Sequence, residues 1–226
     1  MNLSILLPGS LDYKVALELQ ERLLLMRQQD EIEDTLVLLE HPPVLTLGRR
    51  GEYGNILLPL DILENQGVKV YEVSRGGDVT YHGPGQIVGY PIINLCNIEK
   101  DIKQYVYKIE EVIIRLLFNE LGIQSYRKEK KYTGIWVGEE KITAIGIAVK
   151  KWVTMHGFAF NVNTNLDHFK WITPCGIADK SVTSVQKILG RELDIHKMND
   201  LVIKYFCEVF NAQYVIRDWM DFICTK

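Results

Sequence analysis

Between residues 75 and 86 the chain reads Arg-Gly-Gly-Asp-Val-Thr-Tyr-His-Gly-Pro-Gly-Gln, with four glycines, a proline, an arginine and a histidine in twelve positions. That density exceeds what a simple turn needs. Glycine lets main chain approach a ligand closely and offers N–H groups that no side chain hides. Two nucleotide-binding loops are excluded at once. Gly83-x-Gly85-x-x-x-Gly89 misses G-x-G-x-x-G by one residue, and Tyr90-Pro91 opens no helix after it. No G-x-x-x-x-G-K-[ST] occurs anywhere. A strained loop without a ligand is the bland alternative.

The flanking pattern sets the fold class. Strands are expected at 3–7, 35–39, 44–47 and 69–73, and at 86–95, where Pro91 implies an edge or a bulge. Ser10 is the expected cap of a helix to about Gln29, with Leu11, Val15, Leu19, Leu23 and Met26 on one face. The longest helix is expected at 99–121, stopped by Gly122. A hairpin of 134–137 and 142–149 turns at Gly138-Glu139-Glu140, and 153–162 adds a third strand. A helix at 199–211 and a strand near Tyr214 complete the chain. Strands and helices mix without strict βαβ alternation, so the expectation is an α/β (mixed α+β) fold, a mixed sheet flanked by helices.

No linker, repeat or low-complexity tract divides the 226 residues, so one domain over 1–226 is expected. Hydrophobic residues at 47% and charged residues at 24% are ordinary globular proportions. A net charge of −3 gives no general attraction to nucleic acid or anionic lipid. No apolar run reaches the ~20 residues of a membrane span. The stretch Met1 to Ser10 carries no cation and its apolar run stops at Pro8, so no export signal is expected. Cys96, Cys175, Cys207 and Cys224 lie 79, 32 and 17 residues apart, which speaks against a zinc ribbon or a disulfide framework. A cytoplasmic location follows as an expectation.

Cys175 differs from its siblings because Pro174 and Gly176 flank it in a polar loop. Cys96 follows an apolar strand, Cys207 lies on an apolar helical stripe and Cys224 is in the tail. A thiol nucleophile needs its pKa lowered from ~8.5 by a nearby cation or helix N-terminus. Lys141 is one candidate cation, although by spacing alone a solvated lysine at a hairpin is the better reading. His82, the histidine inside the glycine-rich segment, is the rival partner. His41 before Pro42-Pro43, and His196 in a polar run, are expected at the surface, with His156 and His168 as packing residues. No H-x-x-x-H spacing suggests a metal site.

Taken together, Arg75-Gly-Gly-x-x-Thr80-Tyr81-His82-Gly-Pro-Gly85-Gln86-x-Val88-x-Tyr90-Pro91, Lys141-Ile-Thr-Ala-Ile-Gly146, His156-Gly-Phe-Ala-Phe-Asn161 and Pro174-Cys175-Gly176-Ile resemble the signature of the lipoate-protein ligase B family of octanoyltransferases. Four blocks occur in order over 75–177; outside them the likeness is loose. Thr143 stands where a small apolar residue is commoner.

The resemblance implies an acyltransferase that moves an octanoyl group from octanoyl-acyl carrier protein to a lysine of a lipoyl domain. Acceptors would be 2-oxoacid dehydrogenase subunits and the glycine cleavage H protein. No cofactor, ATP, metal, nucleic acid or membrane would be involved. It implies Cys175 as acyl-thioester nucleophile and Lys141 as the residue lowering its pKa. The acyl chain would contact Arg75, Gly76, Gly77, Asp78, Val79, Thr80, Tyr81 and His82, then Ala144, Ile145, Gly146, Gly157, Phe158 and Ala159. Ala144, Ile145, Ile147 and Phe158 would line a tunnel, and N–H groups of Gly76, Gly77 or Gly176 would serve an oxyanion. An acidic donor implies a local basic patch drawn from Arg49, Arg50, Lys150 and Lys151. Rival readings are an octanoyl amidotransferase between lipoyl-domain proteins, an ATP-dependent lipoate or biotin ligase, a cysteine hydrolase and a non-catalytic lipoyl-domain binder.

Overall fold

The computed structural model describes residues 1–129, 132–173 and 181–223. Its first half holds β1 (Asn2–Ser10), α1 (Tyr13–Gln28), β2 (Asp34–Glu40), β3 (Val44–Leu47), α2 (Leu60–Asn65), β4 (Lys69–Glu72), β5 (Val79–His82) and β6 (Gln86–Ile92). Then come α3 (Ile102–Leu121), β7 (Tyr126–Arg127), β8 (Gly134–Val137), β9 (Glu140–Lys150) and β10 (Val153–Asn161). The chain finishes with β11 (Ser181–Val182), α4 (Val185–Leu189), α5 (Ile195–Phe210) and β12 (Gln213–Ile216).

The main sheet runs β12-β1-β2-β6-β10-β9-β8-β7, with β11 beside β9. The pairs β12–β1, β1–β2 and β11–β9 are parallel and the others antiparallel. It is therefore the mixed sheet flanked by helices that the pattern implies. Both faces are covered, which is why β2 reads as an unbroken apolar run. Leu36 and Leu38 of β2 join Leu3, Ile5, Phe158 and Phe160 under α3 and α5. Val37 and Leu39 point the other way, with Leu6, Val88 and Ala159, onto Ala16, Leu19 and Leu23 of α1. A separate sheet, β4-β3-β5, closes over Leu45, Leu47, Leu63, Tyr81 and Phe169.

Several boundaries shift for local reasons. Asp12, not Ser10, caps α1 by accepting from the Lys14 N–H, because Ser10 is still paired with Glu40. β1 continues past Pro8 through a register shift and a left-handed Gly9 (φ 75°). The buried face of α1 includes Gln20 and Arg27 rather than Val15 and Met26; Arg27 pairs with buried Asp34 at 2.7 Å. α5 starts a turn early, at Asp194, whose carboxylate caps His196 and Lys197. Gly122 ends α3 in the left-handed conformation, as the sequence predicts.

Pro91 lies inside the sheet, and the β6–β10 ladder gives way opposite it. Pairing holds from Gln86↔Asn161 to Gly89↔Phe158, then resumes only as a bridge, Asn94↔Val153. In the gap His156 turns left-handed (φ 57°) and its N–H leaves the sheet for Gln20 Oε1 at 2.9 Å. The missing donor of proline thus falls where β10 has stopped asking for one. Next to it Gly157 lies so close to β6 that a Cβ would sit 2.1 Å from the Gly89 carbonyl oxygen. Gly157→Ala is expected to cost about 1–3 kcal/mol by forcing these strands apart. Urea unfolding of both proteins checks this; equal midpoints would contradict the contact.

Candidate active site

The turn between β8 and β9 sets up the first functional group. Gly134 and Ile135 pair with Ala144 and Thr143, but Trp136 and Val137 pair with Lys141 and Glu140, so β9 carries one extra residue there. Such a bulge re-aims the side chain beside it. Lys141 stands opposite Trp136, its ammonium 4.9 Å from the indole centroid and 3.2 Å from the Thr133 carbonyl oxygen. Trp136 is itself fully buried, its indole N–H given to the Tyr132 carbonyl at 2.9 Å.

Beyond Ala144 the outer edge of β9 has no β8 partner, and the glycine-rich segment fills the space. The Gly76 N–H donates to the Ile147 carbonyl at 2.9 Å. Gly146 makes this approach possible: a Cβ there would meet the Gly76 oxygen at 2.8 Å. Arg75, buried, anchors the segment to β3 through Thr46, with bonds of 2.7 Å to its carbonyl and 2.8 Å to its hydroxyl. Asp78 braces the other end, accepting from Asn55 Nδ2 at 2.7 Å and from the Val79 N–H at 2.6 Å.

Between these parts lies a cavity of about 910 Å³. Its walls bring together Lys141, Arg75, Gly76, Gly77, Asp78, Val79, Thr80, His82, Ala144, Ile145, Gly146, Gly157, Phe158 and Ala159. Ile147 and Arg50 also line it. Tyr81 does not. Its side chain is turned to the opposite face of the small sheet, packed in the Leu45–Phe169 core with its hydroxyl 2.7 Å from His168 Nδ1. Gly76 is likewise no oxyanion donor, since its N–H is taken by Ile147. Cys175, with Pro174, Gly176 and Ile177, lies outside the described residues, as does Cys224.

The sequence reading missed the aromatic and polar wall behind the glycine-rich segment. His41, expected at the surface, is fully buried. Its Nδ1–H donates to the Leu11 carbonyl and its Nε2 accepts from the Tyr90 hydroxyl, both at 2.7 Å. The two prolines after it mark a turn, but the ring points inward beneath Tyr13 (centroids 5.1 Å apart). His82 is fixed by a buried chain of side chains. Asn161 Nδ2 donates to the Thr183 carbonyl, Gln86 Nε2 to Asn161 Oδ1, and His82 Nδ1–H to Gln86 Oε1 at 2.8 Å. The chain therefore selects one tautomer and leaves Nε2 as an acceptor. Thr183 in turn donates its N–H to the Lys141 carbonyl at 3.0 Å, tying this wall to the lysine strand.

Burial keeps these rings neutral. Desolvation lowers His82 to about 3, with help from His41 and Arg75, and lowers His156 to about 3 and His41 to about 4. Tyr13, which lines the cavity, is raised to about 12 by burial. Among the described residues no three His, Cys, Asp or Glu side chains gather as a metal ion would require. No described helix is long and apolar enough to cross a membrane.

Against known proteins, the profile of the lipoyl protein ligase A/B catalytic domain matches residues 12–207. The chain belongs to that family. An octanoyltransferase of Caldicellulosiruptor saccharolyticus is 59% identical over 214 residues, 95% of this chain and 91% of its own length. An octanoyltransferase of Alkaliphilus metalliredigens is 52% identical over 95% of this chain and 98% of its own. Solved structures share the fold at low identity. A bi-partite lipoate protein ligase of Thermoplasma acidophilum superposes with a TM-score of 0.78 at 17% identity, covering 98% of this chain and 90% of that one. Biotin protein ligase of Aquifex aeolicus gives 0.53 at 15% identity, over 93% and 69%.

The three depressed histidines give this family member a testable acid response. An unfolded histidine takes up its proton near pH ~6.5, whereas the folded rings resist until about 4 or below. Their contribution to stability is therefore fully present above about pH 6.5 and is lost as pH falls below it. The urea midpoint is expected to decline over that range. His156→Asn, which tolerates the left-handed backbone, should make the decline shallower; an unchanged slope would contradict the burial argument.

Proposed function

We propose that this chain is an octanoyltransferase that carries the acyl group on Cys175 between a donor thioester and a lipoyl-domain lysine. The observation that carries the reading is one apolar cavity joining the glycine-rich segment to Lys141. The described residues on either side of Cys175 support it. Thr173 donates its N–H to the Asn55 carbonyl at 2.8 Å, and Asn55 is the residue bonded to Asp78. Ser181 and Val182 pair with Glu140 and Lys141. One flank is thus tied to the glycine-rich segment and the other to the lysine strand.

The chemistry is balanced without a nucleotide. Lys141 takes the Cys175 proton, and the resulting thiolate attacks the thioester carbonyl of octanoyl-acyl carrier protein. The carrier sulfur leaves with the proton returned by Lys141, which becomes neutral. An acceptor lysine in its amine form then attacks octanoyl-Cys175. Its excess proton passes to Lys141, and the Cys175 thiolate leaves, restoring the starting ion pair. Ile145, Ile147 and Phe158 supply the apolar wall for the chain. On the donor side Arg49, Arg50, Lys150 and Lys151 are all exposed, and Arg49 and Lys150 both act electrostatically on His156. That cationic rim suits an acidic carrier protein.

Incubation with octanoyl-acyl carrier protein is expected to add one octanoyl mass to the intact protein without ATP. Addition of an apo lipoyl domain should then remove it. Cys175→Ser should carry no thioester, and Lys141→Ala should slow adduct formation by about 10²–10⁴-fold. Product that depends on ATP, or an undiminished adduct in Cys175→Ser, would overturn the reading.

A further inference from the structure

We propose that Glu110 is a positioning residue for Lys141, acting through the single peptide bond between Thr133 and Gly134; this rests on the reading of Lys141 as the group that activates the thiol. Glu110 lies on α3 amid Tyr105, Ile109, Val112 and Ile113 and is only 7% exposed. A carboxylate so placed requires partners that offset its lost hydration. One is Arg127, whose Nε reaches Oε2 at 3.1 Å. The other is main chain: the Gly134 N–H donates to Oε1 at 3.3 Å.

Arg127 has a second carboxylate, Glu111, at 2.6 Å, and lies 3.9 Å over the Tyr107 ring. Glu111 alone would therefore join β7 to α3. Glu110 adds something Glu111 cannot, a bond to the first residue of β8. Gly134 holds φ 127°, and a Cβ on it would lie 2.4 Å from the Thr143 oxygen, so its conformation is set closely by its surroundings.

The peptide unit that gives its N–H to Glu110 gives its C=O to Lys141. That unit is planar and trans, so the two groups point in opposite directions from one rigid plate. Fixing the N–H edge fixes where the carbonyl presents itself to the ammonium, 3.2 Å away. A carboxylate on the donor edge also polarises the carbonyl toward the cation. Trp136 supplies a second described contact, its ring face 4.9 Å from the same nitrogen. Helix α3 thereby bears on the lysine pose through main chain.

The test follows alkylation of Cys175 against pH by peptide mass spectrometry in the full chain, for wild type, Lys141→Ala, Glu110→Ala and Glu110→Gln. Direct electrostatics and positioning predict opposite signs. Deleting a carboxylate by charge alone would favour the thiolate and lower its apparent pKa. Losing the Lys141 pose would raise it. The expected result is a rise of about one pH unit in Glu110→Ala, toward the Lys141→Ala value. Glu110→Gln, which keeps an oxygen for Gly134, should restore a profile near wild type. A fall or no change in Glu110→Ala, with a melting profile like wild type, overturns the proposal. A Lys141→Ala profile identical to wild type overturns the underlying reading and the proposal with it. Should Glu110→Ala not fold, Glu110→Asp retains charge but is one methylene shorter, and carries the same expected rise.

Discussion

The site depends on one main-chain contact, the Gly76 N–H on the Ile147 carbonyl at 2.9 Å. β8 stops pairing at Gly134, so the second half of β9 would otherwise be a bare edge with its polar groups in water. The glycine-rich segment fills part of that edge without adding a strand. It can do so because Gly146 has no side chain to hold it off. The result is a cavity bounded by main chain on one side and by sheet on the other. A real strand in that place would pair along the whole edge and leave no room. The extra residue of β9 opposite Trp136 acts in the same sense, turning Lys141 toward the space that the missing strand leaves.

Polar groups behind this contact are buried on a scale that ordinary packing would avoid. Arg75, His41, His82, Gln86, His156 and Asn161 are each less than a tenth exposed. Their hydrogen bonds offset part of the desolvation cost and fix orientations that an apolar wall would leave free. The chain from Thr183 through Asn161 and Gln86 to His82 has a fixed direction of donation, so the His82 tautomer is decided by a carbonyl three residues removed. For a reactive acyl thioester this arrangement has a chemical consequence. Neutral histidine rings, hydrogen-bonded amides and an Arg75 held on Thr46 give the cavity a wall whose polar groups are largely satisfied by protein rather than water, which disfavours hydrolysis of the ester.

Much of this was legible in residue types and spacing, and the failures share a cause. The glycine-rich segment, the hairpin leading to Lys141 and the Gly122 stop of α3 are local signals, and local signals survive folding. Tyr81 sits within a motif whose neighbours line the cavity, yet strand alternation in β5 sends it to the other face. Sequence shows the alternation but not which face is the cavity. The burial of His41 is not legible because the Pro42-Pro43 pair reports only a turn in the backbone, while the ring is covered by Tyr13 of α1 and Tyr90 of β6, 28 and 49 residues away in the chain. Glu110 carries no signal at all in one dimension. On α3 it is one more acidic residue beside an apolar stripe, and its meaning lies in a peptide bond 24 residues away in sequence.

Under the proposed reading, the two half-reactions share a carbonyl and differ in everything else. The donor is a thioester on an acidic carrier, the acceptor an amine on a lipoyl domain. Only the acyl chain and the reacting carbon need stay still while one partner leaves and the other arrives. The parts of the site that hold the chain are accordingly fixed by close contacts: β10 by Gly157 against Gly89 of β6, and the glycine-rich segment by Arg75 on Thr46. The exposed cations and the open mouth of the cavity lie outside that frame, where successive partners can bind in turn. A lysine whose pose is set through main chain from Glu110, a buried residue of the cavity wall on α3, fits the same division. It must hold its place through both steps, and a bond from a buried carboxylate to main chain is made by the protein alone, whichever partner is bound.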